Sequence, residues 1–329
     1  MNRALRLLRR RAVGSIPVLL IVVVLTFLLL EAAAGDAVDA YLLSIGGGDA
    51  AIAQSLRASY GLDQSMAARL WLYLSSLARL DLGWSVAFDR PVRDLILERL
   101  PNTLLLMGSA TALSFAIGSA LGIVAGARPG SGRDRVLSTL SLVLYAIPGF
   151  WLGLVLSILF AVQLRWLPTS GIETIASGRT GLSRAADIAA HLALPVATLT
   201  LVYMALFLRV MRAGMADVWG LDFVLFARSK GLSRARIVLR HVARSALLPL
   251  VTMLGLQSAA MLGGSVVIES IFAIPGFGRL AQEAVSGRDT GLLTGIIVTS
   301  AVLVILVNLV IDIVYAALDP RVGASERGA

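Results

Sequence analysis

Six stretches of this 329-residue chain contain no Asp, Glu, Lys or Arg over lengths that match a lipid bilayer. They are Ala12–Leu30 (19 residues), Leu100–Ala127 (28), Val136–Leu164 (29), Ile188–Leu208 (21), Ser245–Ile268 (24) and Thr290–Ile311 (22), the last continuing past Asp312 to Leu318. An apolar helix needs ~20 residues to cross the ~30 Å hydrocarbon core. Within each run the apolar residues are continuous rather than striped, as on helices surrounded by lipid and protein. The pattern predicts an all-α integral membrane protein with six transmembrane helices. The first run follows a basic segment, RALRLLRRR, as in a signal peptide. Its 19 residues exceed the ~7–15 of a signal h-region, so it is read as a retained span.

Composition excludes most alternatives. Charged residues are 15% and hydrophobic residues 57% of the chain, whereas a soluble domain carries ~25% charged residues. There is no cysteine, and the two histidines, His191 and His241, are fifty positions apart. Disulfide frameworks, thiolate sites and a histidine metal cluster are therefore excluded. The only lysine, Lys230, stands between Ser229 and Gly231. No Gly-Lys-Ser/Thr phosphate cradle exists, and Gly46–Gly48 reads as a loop.

The net charge of +9 orients the chain rather than pointing to nucleic acid. Eighteen Lys/Arg fall in segments 1–11, 128–135, 209–244 and beyond 318, against eleven in the longer segments 31–99, 165–187 and 269–289. Density decides: eight lie in 209–244 and two in 269–289. Both termini are expected to be cytoplasmic. The chain then divides into a basic tail (1–11), a first transmembrane helix (12–30), an extracytoplasmic segment (31–99), a core (100–318) and a cytoplasmic tail (319–329). The core helices are placed near 102–127, 136–164, 188–209, 246–268 and 290–318.

Two connections are more than turns. In 31–99, Ala50–Tyr60 reads as a helix ended by Gly61, with Asp63 placed to cap the next one. PVRDLILERLP is amphipathic, with Val92, Leu95, Ile96 and Leu100 on one face. On the inner side, 222–244 reads as two helices around Gly231. Ser233 is placed to cap the second, and Pro249 lies near the start of the next span. Six cationic side chains lie between Arg228 and Arg244. They suit either an anchor on anionic lipid or a docking surface for a cytosolic partner.

Taken in order, the pieces resemble one family along nearly the whole chain. They are an arginine-rich first helix with GDAVDA, YGLDQ, LDLGWS, RPVRDLILERLPNTLLL, IPGFWLGLVL, WLPTSG, HLALPVATL, ARSKGLSRARIVLRHVARSALLP, IESIFAIPGFGRLAQEAV and VNLVIDIVYAALDPR. The family is the inner-membrane permease subunits of binding-protein-dependent ABC importers, in the dipeptide/oligopeptide/nickel group. The resemblance implies a type I ABC importer permease fold with a small extracytoplasmic segment after the first helix. It implies half of a translocation pathway for peptides, nickel chelates, glutathione or similar small solutes. The implied partners are a second homologous permease, an extracytoplasmic binding protein, membrane lipid, and two P-loop ATPases that use ATP and Mg. This chain would be no enzyme and would itself bind no cofactor, metal or nucleic acid.

The superfamily signature begins Glu-Ala-Ala and reaches a glycine four residues after its second alanine. Here Ala227 and Gly231 match, while Leu225 and Phe226 stand for the Glu and first Ala. The implied ATPase-docking set is Leu225, Phe226, Ala227, Lys230, Gly231, Leu232, Arg234 and Arg236. Apolar side chains would enter a groove, and rim charge would tune encounter more than affinity.

Other polar residues carry two readings. Thr198, Tyr203, Gln257, Ser258 and Ser265 could line a pathway; the other reading is interhelical hydrogen bonding, worth ~0.6 kcal/mol each. Glu269, closing the fifth run, could line an outer gate or reach the headgroups. Asp312, at membrane depth, is either a coupling carboxylate or a structural partner for an arginine such as Arg209 or Arg212. Gly118, Gly122 and Gly126 form a small-xxx-small ridge, for packing inside the chain or at a dimer seam. Pro148 and Pro195 fall within spans and can kink them; His191 is read as an interfacial histidine. The rival functions are a secondary transporter or channel working without ATPases, which calls for midplane carboxylates or inverted repeats, and a membrane scaffold.

The absence of cysteine gives a direct test of topology. Ser75→Cys should react with a membrane-impermeant maleimide in intact spheroplasts; labelling only after lysis would reverse the orientation.

Overall fold

The computed structural model describes residues 3–32, 38, 42, 47, 50–59 and 63–318. Gly61, expected to end a helix, and the 319–329 tail lie outside the described residues. Contacts divide the chain into two units, Met1–Thr103 with Pro275–Leu306, and Leu104–Ile274 with Val307–Ala329.

The first unit begins with α1 (Arg3–Glu31), α2 (Ala50–Ser59) and α3 (Met66–Ala78). Ser65, not Asp63, caps α3: its Oγ accepts from Ala68 N at 3.4 Å. A serine hydroxyl one residue before the helix reaches that N–H; Asp63 stands two residues further back. α3 lies along the end of α1 through Arg69 Nη1–Glu31 Oε1 (2.7 Å) and the stacked rings of Phe27 and Tyr73. A short hairpin follows, pairing β1 (Trp84–Ser85) with β2 (Arg90–Pro91).

α4 (Val92–Gly126) then runs unbroken for 35 residues. The amphipathic run and the second span are one helix, not two elements divided near residue 100. Pro101 lies in its interior. The amphipathic reading of its first turns holds. Val92, Leu95 and Ile96 are buried against Leu280 and Ala284 of α11 (Phe277–Ser286) and Leu292 and Ile296 of α12 (Thr290–Leu318), with Leu100 beside them. Asn102 donates to Pro275 O (2.7 Å), and Phe277 N donates to Thr103 Oγ1 (2.7 Å). Buried Asp289 ties hairpin to helix by accepting Ser85 Oγ (2.6 Å), Ala87 N (3.0 Å) and Leu292 N (2.9 Å).

The second unit centres on α7 (Gly181–Val218) and α10 (Ala243–Ile271). The third apolar run is not one rod. α5 (Gly132–Ala146) and α6 (Gly149–Leu156), the latter continued by a π-helical stretch to Gln163, meet at a 96° bend. The cause is Pro148, which lacks an N–H and pushes Ile147 to an extended conformation (φ −76°, ψ 126°). Pro195, by contrast, stays inside α7.

The glycine ridge packs within this chain. A Cβ on Gly118 would sit 2.7 Å from Met204 O and Phe207 Cβ; one on Gly122, 2.6 Å from Met211 Cβ; one on Gly126, 2.8 Å from Met215 Cβ. Only glycine allows α4 to lie this close to α7.

Among the described residues, four helical stretches are long and apolar enough to cross a membrane: Val92–Gly126, Gly181–Val218, Arg234–Ser258 and Thr290–Val314. The bent pair makes a fifth if counted as one span, and Val13–Leu29 of α1 is a shorter apolar stretch.

The ridge generates a paired test on α4. Gly122→Ala must displace Met211 and the Leu208 carbonyl and should cost about 1–3 kcal/mol, as overpacking does. Gly108→Ala meets nothing within 4 Å and should be neutral or stabilising by up to ~1 kcal/mol. Thermal unfolding of the detergent-purified protein reads both; equal effects would remove the close approach.

Candidate functional site

The connection 222–244 folds as the glycine requires. α8 (Asp222–Ser229) ends at Lys230, and Gly231 takes φ +71° with nothing within 4 Å of a Cβ, so the backbone turn rather than crowding selects glycine. Gly231 N donates to Arg228 O (2.9 Å) and Leu232 N to Ala227 O (3.4 Å), closing the corner. Ser233 occupies the cap position of α9 (Arg234–Ile237), but its hydroxyl makes no capping bond. The second arm is also shorter than expected. α9 gives way to a π turn, Val238–Val242, and then α10, so Pro249 lies inside a helix rather than ahead of a new one.

The hairpin has two faces. Val224, Ala227 and Ile237 are buried against Met211, Met215 and Val242, with Leu232 packed alongside. Leu225 and Phe226 are 51% and 60% exposed, and Lys230 lies over the Phe226 ring at 4.3 Å. Arg236 is exposed as well. Ala227 therefore holds the hairpin to its own scaffold, while Leu225 and Phe226 project from it. Arg234 is engaged within the chain: its Nη2 donates to Ala127 O at 2.9 Å.

Two residues that the sequence reasoning passed over organise the base of this region. Trp219 Nε1 donates to Gly126 O at 2.7 Å. Asp134, buried at the start of α5, accepts both Arg212 Nε and Nη2 at 2.9 Å, along with Gly130 N and Ser138 Oγ. Asp134 is the sole acidic residue in the basic connection 128–135, a signal that could have marked it. Arg212 is thus committed to Asp134. Arg209 lies over the Tyr145 ring at 4.2 Å, with a buried Nε that has no hydrogen-bond partner among the described residues. Asp312 is half-buried on α12 and engaged.

The six polar pathway candidates separate. Thr198, Ser265 and Glu269 are fully buried inside the chain. Thr198 Oγ1 donates to Leu194 O (2.8 Å), and its methyl faces Gly153. Tyr203 on α7 has Gln257 on α10 as a side-chain neighbour, and Ser258 Oγ donates to Leu254 O (2.7 Å). Tyr203, Gln257 and Ser258 keep part of their surface free.

In the 165–187 connection, Asp187 accepts Thr174 N (2.7 Å) and Thr174 Oγ1 (2.9 Å) and pairs with Arg179. His191 Nδ1 lies 2.8 Å from Asp187 O. Glu173 is held below the usual carboxylate range by its hydrogen bonds from Arg184. Among the described residues no group of three His, Cys, Asp or Glu is placed to hold a metal ion.

The helical core is the fold of a type I ABC importer permease. An inward-facing structure of the MetNI methionine ABC transporter superposes with a TM-score of 0.55 over 68% of this chain and 96% of its own, at 18% identity. The chain belongs to the family of binding-protein-dependent transport system inner membrane components, which matches residues 118–324, with the family's N-terminal component matching 4–107. It is 37% identical over 318 residues to the oligopeptide transport system permease protein AppB of Bacillus subtilis, covering 95% of this chain and 98% of the relative. It is 37% identical over 313 residues to the glutathione transport system permease protein GsiC of Escherichia coli, covering 95% and 97%.

Proposed function

We propose that this permease subunit forms half of the translocation pathway for peptides or similar small solutes and is driven by ATPases docked on its inner hairpin. The observation that carries the reading is the pair Leu225–Phe226, exposed beside a glycine corner whose other face is fixed to the chain's own core. The names of the oligopeptide and glutathione permeases support the substrate class. Six spans with both termini inside follow from the six charge-free runs and the density of inner cations. The remaining partners are a second homologous permease, an extracytoplasmic binding protein that faces 31–99, and two P-loop ATPases that consume ATP with Mg. No resident cofactor is assigned to this chain.

Among the polar candidates, Tyr203, Gln257 and Ser258 suit a solute path, because they retain free surface. Ser265, Thr198 and Glu269 suit helix packing. Leu225 replaces the signature glutamate, so docking at this position is apolar rather than ionic. Asp312 is assigned to the foot of the last span as a structural charge.

Gly231→Pro tests the docking role. Proline fixes φ near −65°, whereas the corner needs φ +71°. The variant should insert normally while ATPase co-purification and solute uptake fall by at least roughly tenfold, ~1.4 kcal/mol of docking free energy. In the same assay Asp312→Asn should lower uptake per ATP and leave substrate preference unchanged. Normal uptake by a stably inserted Gly231→Pro variant would sink the docking role.

A further inference from the structure

The inner end of α4 poses a hydrogen-bonding problem that its own sequence does not solve. The last carbonyls of a helix have no intrahelical donors, and cations are favoured there by the helix dipole. α4 has no basic residue in its last turn. Its terminal carbonyls are instead met by two residues that flank the inner hairpin. Trp219, the residue that ends α7, donates Nε1–H to Gly126 O (2.7 Å). Arg234, the first residue of α9, donates Nη2–H to Ala127 O (2.9 Å). These donors come from positions 93 and 107 residues away along the chain.

The two donors also hold each other. Arg228 at the end of α8 and Arg234 both lie against the Trp219 ring, at 5.0 and 5.4 Å from its centroid. Cations this close to an indole face are attracted to it. Trp219 thus sits between the two arms of the hairpin, stacked with one arginine from each. Meanwhile Gly126 is pressed against Met215, where a Cβ would come within 2.8 Å. The end of α4 is held by hydrogen bonds to the hairpin region and by close packing on α7.

We propose that Trp219 and Arg234 are positioning residues that strap the inner hairpin to the end of α4, so that a pull on the hairpin is delivered to α4 directly. The proposal rests on the docking reading but concerns a separate step. Leu225 and Phe226 make the contact with the ATPase, and the strap transmits its movement. Without it the hairpin would still be joined to α7 and α10 by the backbone. α4 would then follow only through side-chain packing. With it, the hairpin and an unbroken 35-residue helix move as one body. This moves Arg234 from the rim of the docking surface to the linkage behind it.

The test uses the assembled importer in proteoliposomes and reads three quantities: ATPase co-purification, ATP hydrolysis, and uptake of a labelled oligopeptide. Trp219→Phe keeps a ring for both arginines and removes the N–H; Arg234→Gln removes the charge and shortens the donor. Each variant should co-purify ATPases as the parent does, while uptake per ATP falls about three- to tenfold, the net weight of one such hydrogen bond. Arg234→Lys, which keeps a cationic donor, should recover most of the loss. A second measurement guards against misfolding. Ala127→Cys with Arg234→Cys, in a chain otherwise free of cysteine, should be poorly coupled until a short bis-maleimide joins the two positions, and joining them should restore uptake per ATP. Parental uptake per ATP in both Trp219→Phe and Arg234→Gln would overturn the strap, as would a joined pair that stays uncoupled. Loss of ATPase co-purification in these variants would also overturn it, by moving both residues onto the docking surface, and would leave the docking reading standing. A Gly231→Pro variant with normal uptake would remove the docking reading instead.

Discussion

The close approach of α4 to α7 is the constraint on which the second unit depends. Lipid tails are as apolar as leucine, so helices in a bilayer gain little from hiding hydrophobic surface from one another. They associate through tight packing and hydrogen bonds. Gly118, Gly122 and Gly126 supply the packing, three times in succession, against Met204, Phe207, Met211 and Met215. Gly214 does the same on another side of α7, where a Cβ would lie 3.3 Å from Ala246 Cβ of α10. Arg212 fixes α5 through the bidentate pair with Asp134. α7 is therefore held by α4, α5 and α10, and two-thirds of its membrane-length window is buried in the chain.

That arrangement fixes what the 222–244 hairpin can do. Its buried face continues the α7–α10 core, so the hairpin is an extension of the membrane helices rather than a loose loop. Its exposed face combines Leu225 and Phe226 with Lys230 and Arg236. Apolar anchors in a partner's groove carry affinity, while exposed rim charges mainly steer encounter. An exposed ion pair contributes about 0–1 kcal/mol, so on the proposed docking reading Leu225 in place of the signature glutamate exchanges a weak contact for an apolar one.

The apolar character of the long helices, the cluster of cations in 209–244 and the glycine corner were legible because each is a local property: a run without charge, a density, a residue type that tolerates positive φ. The buried face of Val92, Leu95 and Ile96 was legible from periodicity. The bend at Ile147–Pro148 was harder, since both halves are equally apolar and a proline within a span can be absorbed, as Pro195 is. The continuity of α4 was missed because charges at Asp94, Glu98 and Arg99 end an apolar run without ending a helix. The contacts of Asp134, Trp219 and Arg234 join residues 78, 93 and 107 positions apart, and no pattern along the chain encodes such pairings. Thr198, Ser265 and Glu269 look like pathway residues by type and depth. Packing turns them inward, and a Ser or Thr hydroxyl in a helix often bonds the carbonyl four residues back.

On the proposed function, solute crosses this permease on ATP hydrolysed by partners, not on an ion gradient. The direct measurement is uptake of a labelled oligopeptide into proteoliposomes carrying the permeases and ATPases, with the binding protein outside. ATP is supplied inside, and a protonophore is added or withheld. Uptake should require ATP and the binding protein and stay unchanged when the proton gradient is collapsed. Uptake driven by an imposed proton gradient without ATP would contradict it.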